Sequence, residues 1–326
     1  MGWVSDLRPL NVLVVTPARP GTRKGNRVTA LRWAGHLRAL GHRVRLVQAW
    51  EGQACDLLIA LHARKSASSI FRFRESRPRA PLVVTLTGTD LYQDLPSSLE
   101  ARRSLELADR LIVLQPRGVD MLPTEARNKA RVIFQSARAA RPAPVAPGVF
   151  QVCLLAHLRD VKDPLLAAQA VRRLPERSRV RLVHLGAALN ADAGARARSE
   201  MEANPRYVWL GERPRGEALS VLAGSRILLL TSHLEGGANV VSEAVASNVP
   251  ILSTHIAGSV GILGHDYAGY FPVGDGVALA ALLERAEGDK EFMRRLVEGI
   301  EHVRPLVDPA REREALRALV GELVHR

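Results

Sequence analysis

Cysteine is nearly absent: Cys55 and Cys153 stand alone in 326 residues, with no Cys-x-x-Cys spacing, so neither a disulfide framework nor a cysteine zinc site is indicated. Aromatic residues amount to 4%, too few for the stacking platforms that hold single-stranded nucleic acid. Lysine is scarce as well. It supplies five of the 46 basic residues, and the arginines are spread along the whole chain. The net charge of +13 therefore reads as a generally basic surface that favours anionic small molecules, not as a nucleic-acid-binding tract. No apolar run reaches 18 residues and no charged-then-apolar leader opens the sequence, so a cytoplasmic chain without a membrane span is expected.

What is present is a soluble composition, 47% hydrophobic and 24% charged, over a length that suits two domains. Short apolar runs of the buried-strand type alternate with helical periodicity from Asn11 onward, which predicts parallel, doubly wound α/β sheets. Residues 137–149, with three prolines and neither periodicity, interrupt the alternation. The expected organisation is a Rossmann-like domain over 1–138, a linker over 139–149 and a second Rossmann-like domain over 150–308. A last helix over 309–326 is expected to pack back toward the first domain. One helix is expected over 276–299. Two such domains in tandem are expected to face each other across a cleft. Ligands then bind beyond the carboxyl ends of the strands, in the loops that follow them.

The stretch 226–258 carries the most information. A strand over 227–230 runs through a turn holding Gly236 and Gly237 into a helix from Ala238, with Asn239 in its first turn, and Asn248-Val249-Pro250 ends it. Strand, glycine turn and helix start bring N–H groups and a positive helix end to one point, which suits a phosphate. Glu235 and Glu243 flank that point and suit sugar hydroxyls. Alone, the stretch reads equally as an ordinary crossover with a loose turn and two solvated glutamates.

Other strand-end loops add candidates. Loop 17–27 gathers Arg19, Arg23, Lys24 and Arg27 around Gly21 and Gly25, with Asn26 as a cap for the next helix: an anion site at a helix start. Thr87-Gly88-Thr89-Asp90 offers hydroxyls and a carboxylate, or is a tight turn capped by Asp90. His62 ends a strand, where a lone histidine is more often structural than in contact with substrate. His157, Arg159 and Lys162 follow the first strand of the second domain and could neutralise a diphosphate. No Asp-x-Asp pair occurs, so no divalent metal and no cofactor are expected.

Together these residues resemble the GT-B glycosyltransferases, in particular the retaining group with an E-x7-E motif, whose spacing Glu235 and Glu243 match. Gly211, Glu243-Ala244-Val245-Ala246, Val249-Pro250-Ile251, Gly258 and Gly274-Asp275 follow that family's order. The resemblance implies that Glu243 holds the ribose of UDP and that Glu235 meets the donor sugar. It places Gly236, Gly237, Ala238 and Asn239 beside diphosphate and sugar, and Lys162 on the diphosphate. The family's partner arginine is replaced by His157, with Arg159 nearby to compensate. In the first domain, TPARPGTRKGNRVTALRWAGHLRALGH, CDLLIALHARKS and LVVTLTGTDLYQDL are similar to the selenosugar synthases of selenoneine biosynthesis. That resemblance implies sugar transfer from UDP-N-acetylglucosamine or UDP-glucose to selenophosphate. Arg23, Lys24, Gly25, Asn26, Arg27, Thr87 and Gly88 would bind the acceptor, with Asp90 or His62 assisting chemistry beside Glu235. The implied partners are the small-molecule substrates and, transiently, other selenium-pathway enzymes. The alternative is a conventional GT-B transferase with a hydroxyl acceptor.

Overall fold

The computed structural model describes residues 8–22 and 25–324, and divides the chain into two compact units, Met1–Gln135 with Pro309–Arg326, and Ser136–Asp308. In the first unit the order is β1 (Asn11–Val15), α1 (Gly25–Ala39), β2 (Arg43–Val47), β3 (Leu57–Leu61), α2 (Ala67–Ser76), β4 (Leu82–Thr85), α3 (Leu99–Leu107), β5 (Arg110–Val113), α4 (Arg117–Asp120) and β6 (Ala130–Val132). The strands form a parallel sheet in the order β2-β1-β3-β4-β5-β6.

Because helices cover both faces, β3 (LLIAL) and β4 (LVVT) are buried along their whole length, and apolar residues do not alternate with polar ones. The period-2 alternation appears instead in which core each residue enters. Val12 and Val14 pack with Trp33 and Leu37 on one face, whereas Leu13 and Val15 pack with Ile70 and Phe73 on the other.

The second unit runs β7 (Phe150–Leu155), α5 (Pro164–Arg172), β8 (Val180–Leu185), α6 (Ala191–Ala203), β9 (Tyr207–Trp209), α7 (Arg215–Gly224), β10 (Ile227–Leu230), α8 (Asn239–Ala246), β11 (Ile251–Thr254), α9 (Ala257–Leu263), β12 (Tyr270–Phe271), α10 (Gly276–Gly288) and α11 (Lys290–Glu301). Its parallel sheet has the order β12-β11-β10-β7-β8-β9. The strand order reverses between β7 and β10, which makes their carboxyl ends the topological switch point.

Helix α12 (Pro309–Val324) belongs to the first unit, where Leu316, Leu319, Val320 and Leu323 join the core that holds Trp33. Its attachment is also polar. Glu312 is buried and accepts from Arg32 Nε at 2.8 Å and Trp33 Nε1 at 2.7 Å, with His36 Nε2 at 3.2 Å, all three on α1.

The fold departs from the sequence reading at identifiable places. The helix expected over 276–299 is two helices, because Asp289 turns out of the helix. Its carboxylate then accepts the N–H groups of Glu291 and Phe292 at 2.9 and 3.0 Å, starting α11. Asp90–Asp94 forms a π-type turn that reading did not anticipate, and Ser98 caps α3 by accepting the Ala101 N–H. Among the described residues no helix is long and apolar enough to cross a membrane.

Candidate functional site

The loops after β7 and β10 meet at the switch point of the second sheet and are bonded to each other. Thr231 Oγ1 donates to the Lys162 carbonyl at 2.8 Å, and the His233 N–H donates to the Val161 carbonyl at 2.9 Å. Lys162, closing the short 3-10 turn Asp160–Lys162, donates from Nζ to Glu235 Oε1, which also accepts from Ser232 Oγ at 2.7 Å. Glu235 is buried, and its backbone is fixed from behind. A Cβ on Gly258, in the first turn of α9, would lie 1.9 Å from the Glu235 carbonyl oxygen, so only glycine lets α9 press so closely. Thr254 Oγ1 completes the frame by donating to the Ser232 carbonyl at 2.6 Å.

Gly236, Gly237 and Ala238 follow, all buried, and lead into α8, whose cap residue Ala238 contributes no side-chain hydrogen bond. Glu243 lies in the second turn of α8, buried, and accepts a hydrogen bond from Arg215 Nη2 at the start of α7. The two carboxylates thus stand on either side of the start of α8, each with one cation. Anionic groups of a ligand are favoured at the helix start, and hydroxyl donors at the carboxylates.

Two glycines and two histidines shape the wall formed by β7, β8 and β9. His184 is fully buried. Its Nε2 lies 2.8 Å from the Ala156 carbonyl, which requires the proton there, so Nδ1 accepts from Tyr207 Oη at 2.8 Å. Burial pulls the imidazole pKa down to about 4, so it is neutral at physiological pH. His157 is half-buried and accepts the Ala187 N–H at Nδ1 (3.0 Å), which leaves Nε2 as its protonated nitrogen when neutral. A Cβ on Gly186 would come within 1.8 Å of the Ala156 carbonyl oxygen, and the Gly186 N–H donates to the Gly211 carbonyl at 2.9 Å. Gly211 itself has φ +70°. Arg159 is exposed on the same β7 loop.

In the first unit, Arg23 and Lys24 lie outside the described residues. Gly25, Asn26 and Arg27 form the first turn of α1, so Asn26, expected as the cap, is already a helical residue. The loops after β3 and β4 are joined through Asp90. Its carboxylate is fully buried and accepts three backbone N–H groups, from Ala63 at 3.0 Å, Thr87 at 2.8 Å and Gly88 at 2.9 Å. That geometry ties the two loops together through Asp90, in keeping with the capping role that the sequence offered beside the chemical one. His62 sits beside it in the left-handed region (φ +76°), a strained conformation for a non-glycine residue. Its Nδ1 accepts the Lys65 N–H at 3.3 Å, and its Nε2 lies 3.1 Å from Thr89 Oγ1 and 3.9 Å from Asp94 Oδ2. Burial lowers the His62 pKa, opposed by the Asp90 charge. Arg64 Nε lies 3.0 Å from the same Asp94 oxygen.

Comparison with known proteins decides the family. The sequence profile of Glycosyl transferases group 1 matches residues 138–303. This chain belongs to that family. The match spans every candidate residue from His157 to Glu243, and the first-unit candidates lie outside it. The glycosyltransferase 1 domain-containing protein 1 of Xenopus tropicalis is 24% identical over 304 residues, 84% of this chain and 87% of that protein. Among solved structures, Anabaena HepE in complex with UDP and glucose superposes with a TM-score of 0.76 at 14% identity, covering 96% of this chain and 100% of HepE. The sucrose-phosphate synthase of Thermosynechococcus elongatus superposes with a TM-score of 0.78 at 16% identity, covering 97% and 99%. Two parallel six-stranded sheets with this likeness define the GT-B fold.

For a group 1 transferase, several side chains around the two carboxylates escaped the sequence reading. Arg215 on Glu243 and Thr254 bracing that turn reach the site from other elements, and Ser232, three residues before Glu235 in the same loop, carries no mark of the bond it makes. In the first unit Arg64 and Asp94 were missed around His62, whereas Thr89 was among the hydroxyls offered by its loop. The only sequence signal there was the crowding of polar residues after β3 and β4. Among the described residues no three His, Cys, Asp or Glu side chains gather as a metal-ligand set.

Proposed function

We propose that the protein transfers a sugar from UDP-N-acetylglucosamine or UDP-glucose to selenophosphate, giving a 1-selenosugar, UDP and phosphate. The observation that carries the donor half is the pair of buried carboxylates, Glu235 and Glu243, on either side of the start of α8 at the sheet's switch point. In this reading Glu243 accepts the ribose hydroxyls and Glu235 a sugar hydroxyl. The diphosphate lies at the glycine turn and helix start, with Lys162, Arg159 and His157 as cationic or N–H donors. The complexes of HepE with UDP and with UDP-glucose support a UDP-sugar as donor.

The acceptor half rests on the loop of residues 17–27, with Arg19, Arg23 and Lys24 before α1 and Arg27 in its first turn, and on Thr87 and Gly88. Selenophosphate brings an anionic, soft nucleophile that needs a cationic cradle more than a base. Its selenium forms a bond to the anomeric carbon as the bond from that carbon to the UDP oxygen breaks, and UDP leaves with the electron pair. Water then cleaves the selenium–phosphorus bond. The reading includes no metal and no cofactor, so activity should persist in excess EDTA.

One observation favours a second reading, a hydroxyl acceptor. His62 is buried with its pKa below the ordinary value, and giving up the long 3.3 Å bond from the Lys65 N–H to its Nδ1 would free a ring nitrogen to act as a general base. A UDP-release assay across acceptors separates the two. Release that requires selenophosphate supports the proposal, and release with alcohols or glycans but not selenophosphate replaces it with the second reading.

A further inference from the structure

We infer that Arg215 is the cation which the donor's ribose must displace from Glu243, and that it thereby sets the affinity and selectivity of the nucleotide pocket. The inference rests on the reading that Glu243 faces ribose. The two cation–carboxylate pairs of the site are built differently. Lys162 is anchored through its carbonyl by Thr231, and its carboxylate partner also holds Ser232. Arg215 begins α7 directly after Pro214, its side chain is 46% exposed, and its guanidinium makes no other hydrogen bond among the described residues. Glu243, by contrast, is only 7% exposed in its side chain.

A carboxylate so buried requires a partner, because an unpaired charge there loses its hydration without compensation. A long, half-exposed arginine supplies one at the cost of its rotamer freedom and under solvent screening, so it holds weakly. A ribose diol offers two O–H donors to the same carboxylate. It satisfies Glu243 without immobilising a flexible cation, and Arg215 already occupies Oε1 of that carboxylate. The arginine is a placeholder: it keeps the carboxylate satisfied in the empty pocket and yields only to a ligand that can replace its hydrogen bond. Ligands without a ribose diol have no means of displacing it.

Titration calorimetry with uridine tests this, because uridine has the ribose but no phosphate through which an arginine could help. Arg215→Ala and Arg215→Gln should each tighten uridine binding by about three- to tenfold, the range expected of releasing a half-exposed ion pair. In the Glu243→Gln background, Arg215→Ala should change nothing. Both single variants should lose some melting temperature in the empty state, because Glu243 is left without its partner, and regain it on saturation with uridine, so lost folding cannot imitate the effect. Unchanged or weakened uridine binding in both Arg215 variants overturns the inference while leaving the donor site standing, provided Glu243→Gln still weakens UDP. If Glu243→Gln leaves both uridine and UDP affinity untouched, the ribose assignment fails and this inference fails with it.

Discussion

Replacing Glu312 by alanine should unfasten α12 from the first unit. The carboxylate is fully buried and accepts from Arg32 Nε, Trp33 Nε1 and His36 Nε2 at 2.8, 2.7 and 3.2 Å. Trp33 is 0% exposed, so its N–H has no water to turn to once the acceptor is gone, a loss of about 1–3 kcal/mol. Arg32, with 15% of its side chain exposed, recovers part of its hydration. The sum falls near the lower end of the range for breaking a buried ion pair, about 3 kcal/mol. With a urea slope of about 2–3 kcal/mol per molar for a unit of this size, the midpoint should move down by about 1 M. Glu312→Gln keeps an acceptor for Trp33 and should lose roughly half as much. Glu314→Ala, on the same helix but paired with Arg317 at the surface, should lose less than about 0.5 kcal/mol. Urea denaturation followed by peptide-resolved hydrogen exchange reads both units. A drop in protection confined to residues 8–135 and 309–324 is the expected result. A Glu312→Ala midpoint no lower than that of Glu314→Ala would refute the latch.

The remaining predictions concern the site and its frame. Glu243→Ala should weaken UDP affinity at least tenfold by calorimetry, about 1.4 kcal/mol or more for a lost ribose acceptor. Arg23→Ala with Lys24→Ala should raise the Michaelis constant for selenophosphate and leave UDP affinity unchanged; an equal loss of both would mean that the two substrates do not have separate sites. Gly258→Ala forces the Glu235 carbonyl away from a Cβ built 1.9 Å from it, and should lower turnover by roughly tenfold or more through misplacement of Glu235. His184 has its folded pKa near 4, below its ordinary 6.5, so the unfolded chain binds more protons between those values. Stability should therefore be full above pH 6.5 and fall as pH drops toward 4, by about 3 kcal/mol in all. In urea melts across that range, His184→Gln should show a flatter slope.

Much of the fold was legible because both sheets are parallel and covered on both faces, which makes each central strand a short apolar run bounded by turns. Breaks inside helical periodicity were not legible. Gly288-Asp289 reads as a weak point within one helix, and only the side-chain bonds from Asp289 show it to be a new start. In the site, Glu235 and Glu243 are set by spacing along one turn and one helix, so their sequence separation carries the geometry. Arg215, Thr254 and Gly258 act across neighbouring elements of the sheet, and nothing near them in sequence marks what they touch. Asp90 was legible as a turn-capping carboxylate, but its bond to the Ala63 N–H, which ties the loop after β3 to the loop after β4, was not. His62 was noticed for its position, whereas its left-handed backbone and its neighbour Asp94 appear only in three dimensions.

Product analysis tests the central claim most directly. The protein is incubated with UDP-N-acetylglucosamine or UDP-glucose, with and without selenophosphate, and the products are resolved by mass spectrometry. The account predicts a selenium isotope cluster on the hexose or hexosamine, with stoichiometric UDP formed only when selenophosphate is present. UDP release with no selenium bound to the sugar, or selenium-free transfer to a hydroxyl acceptor, would contradict it.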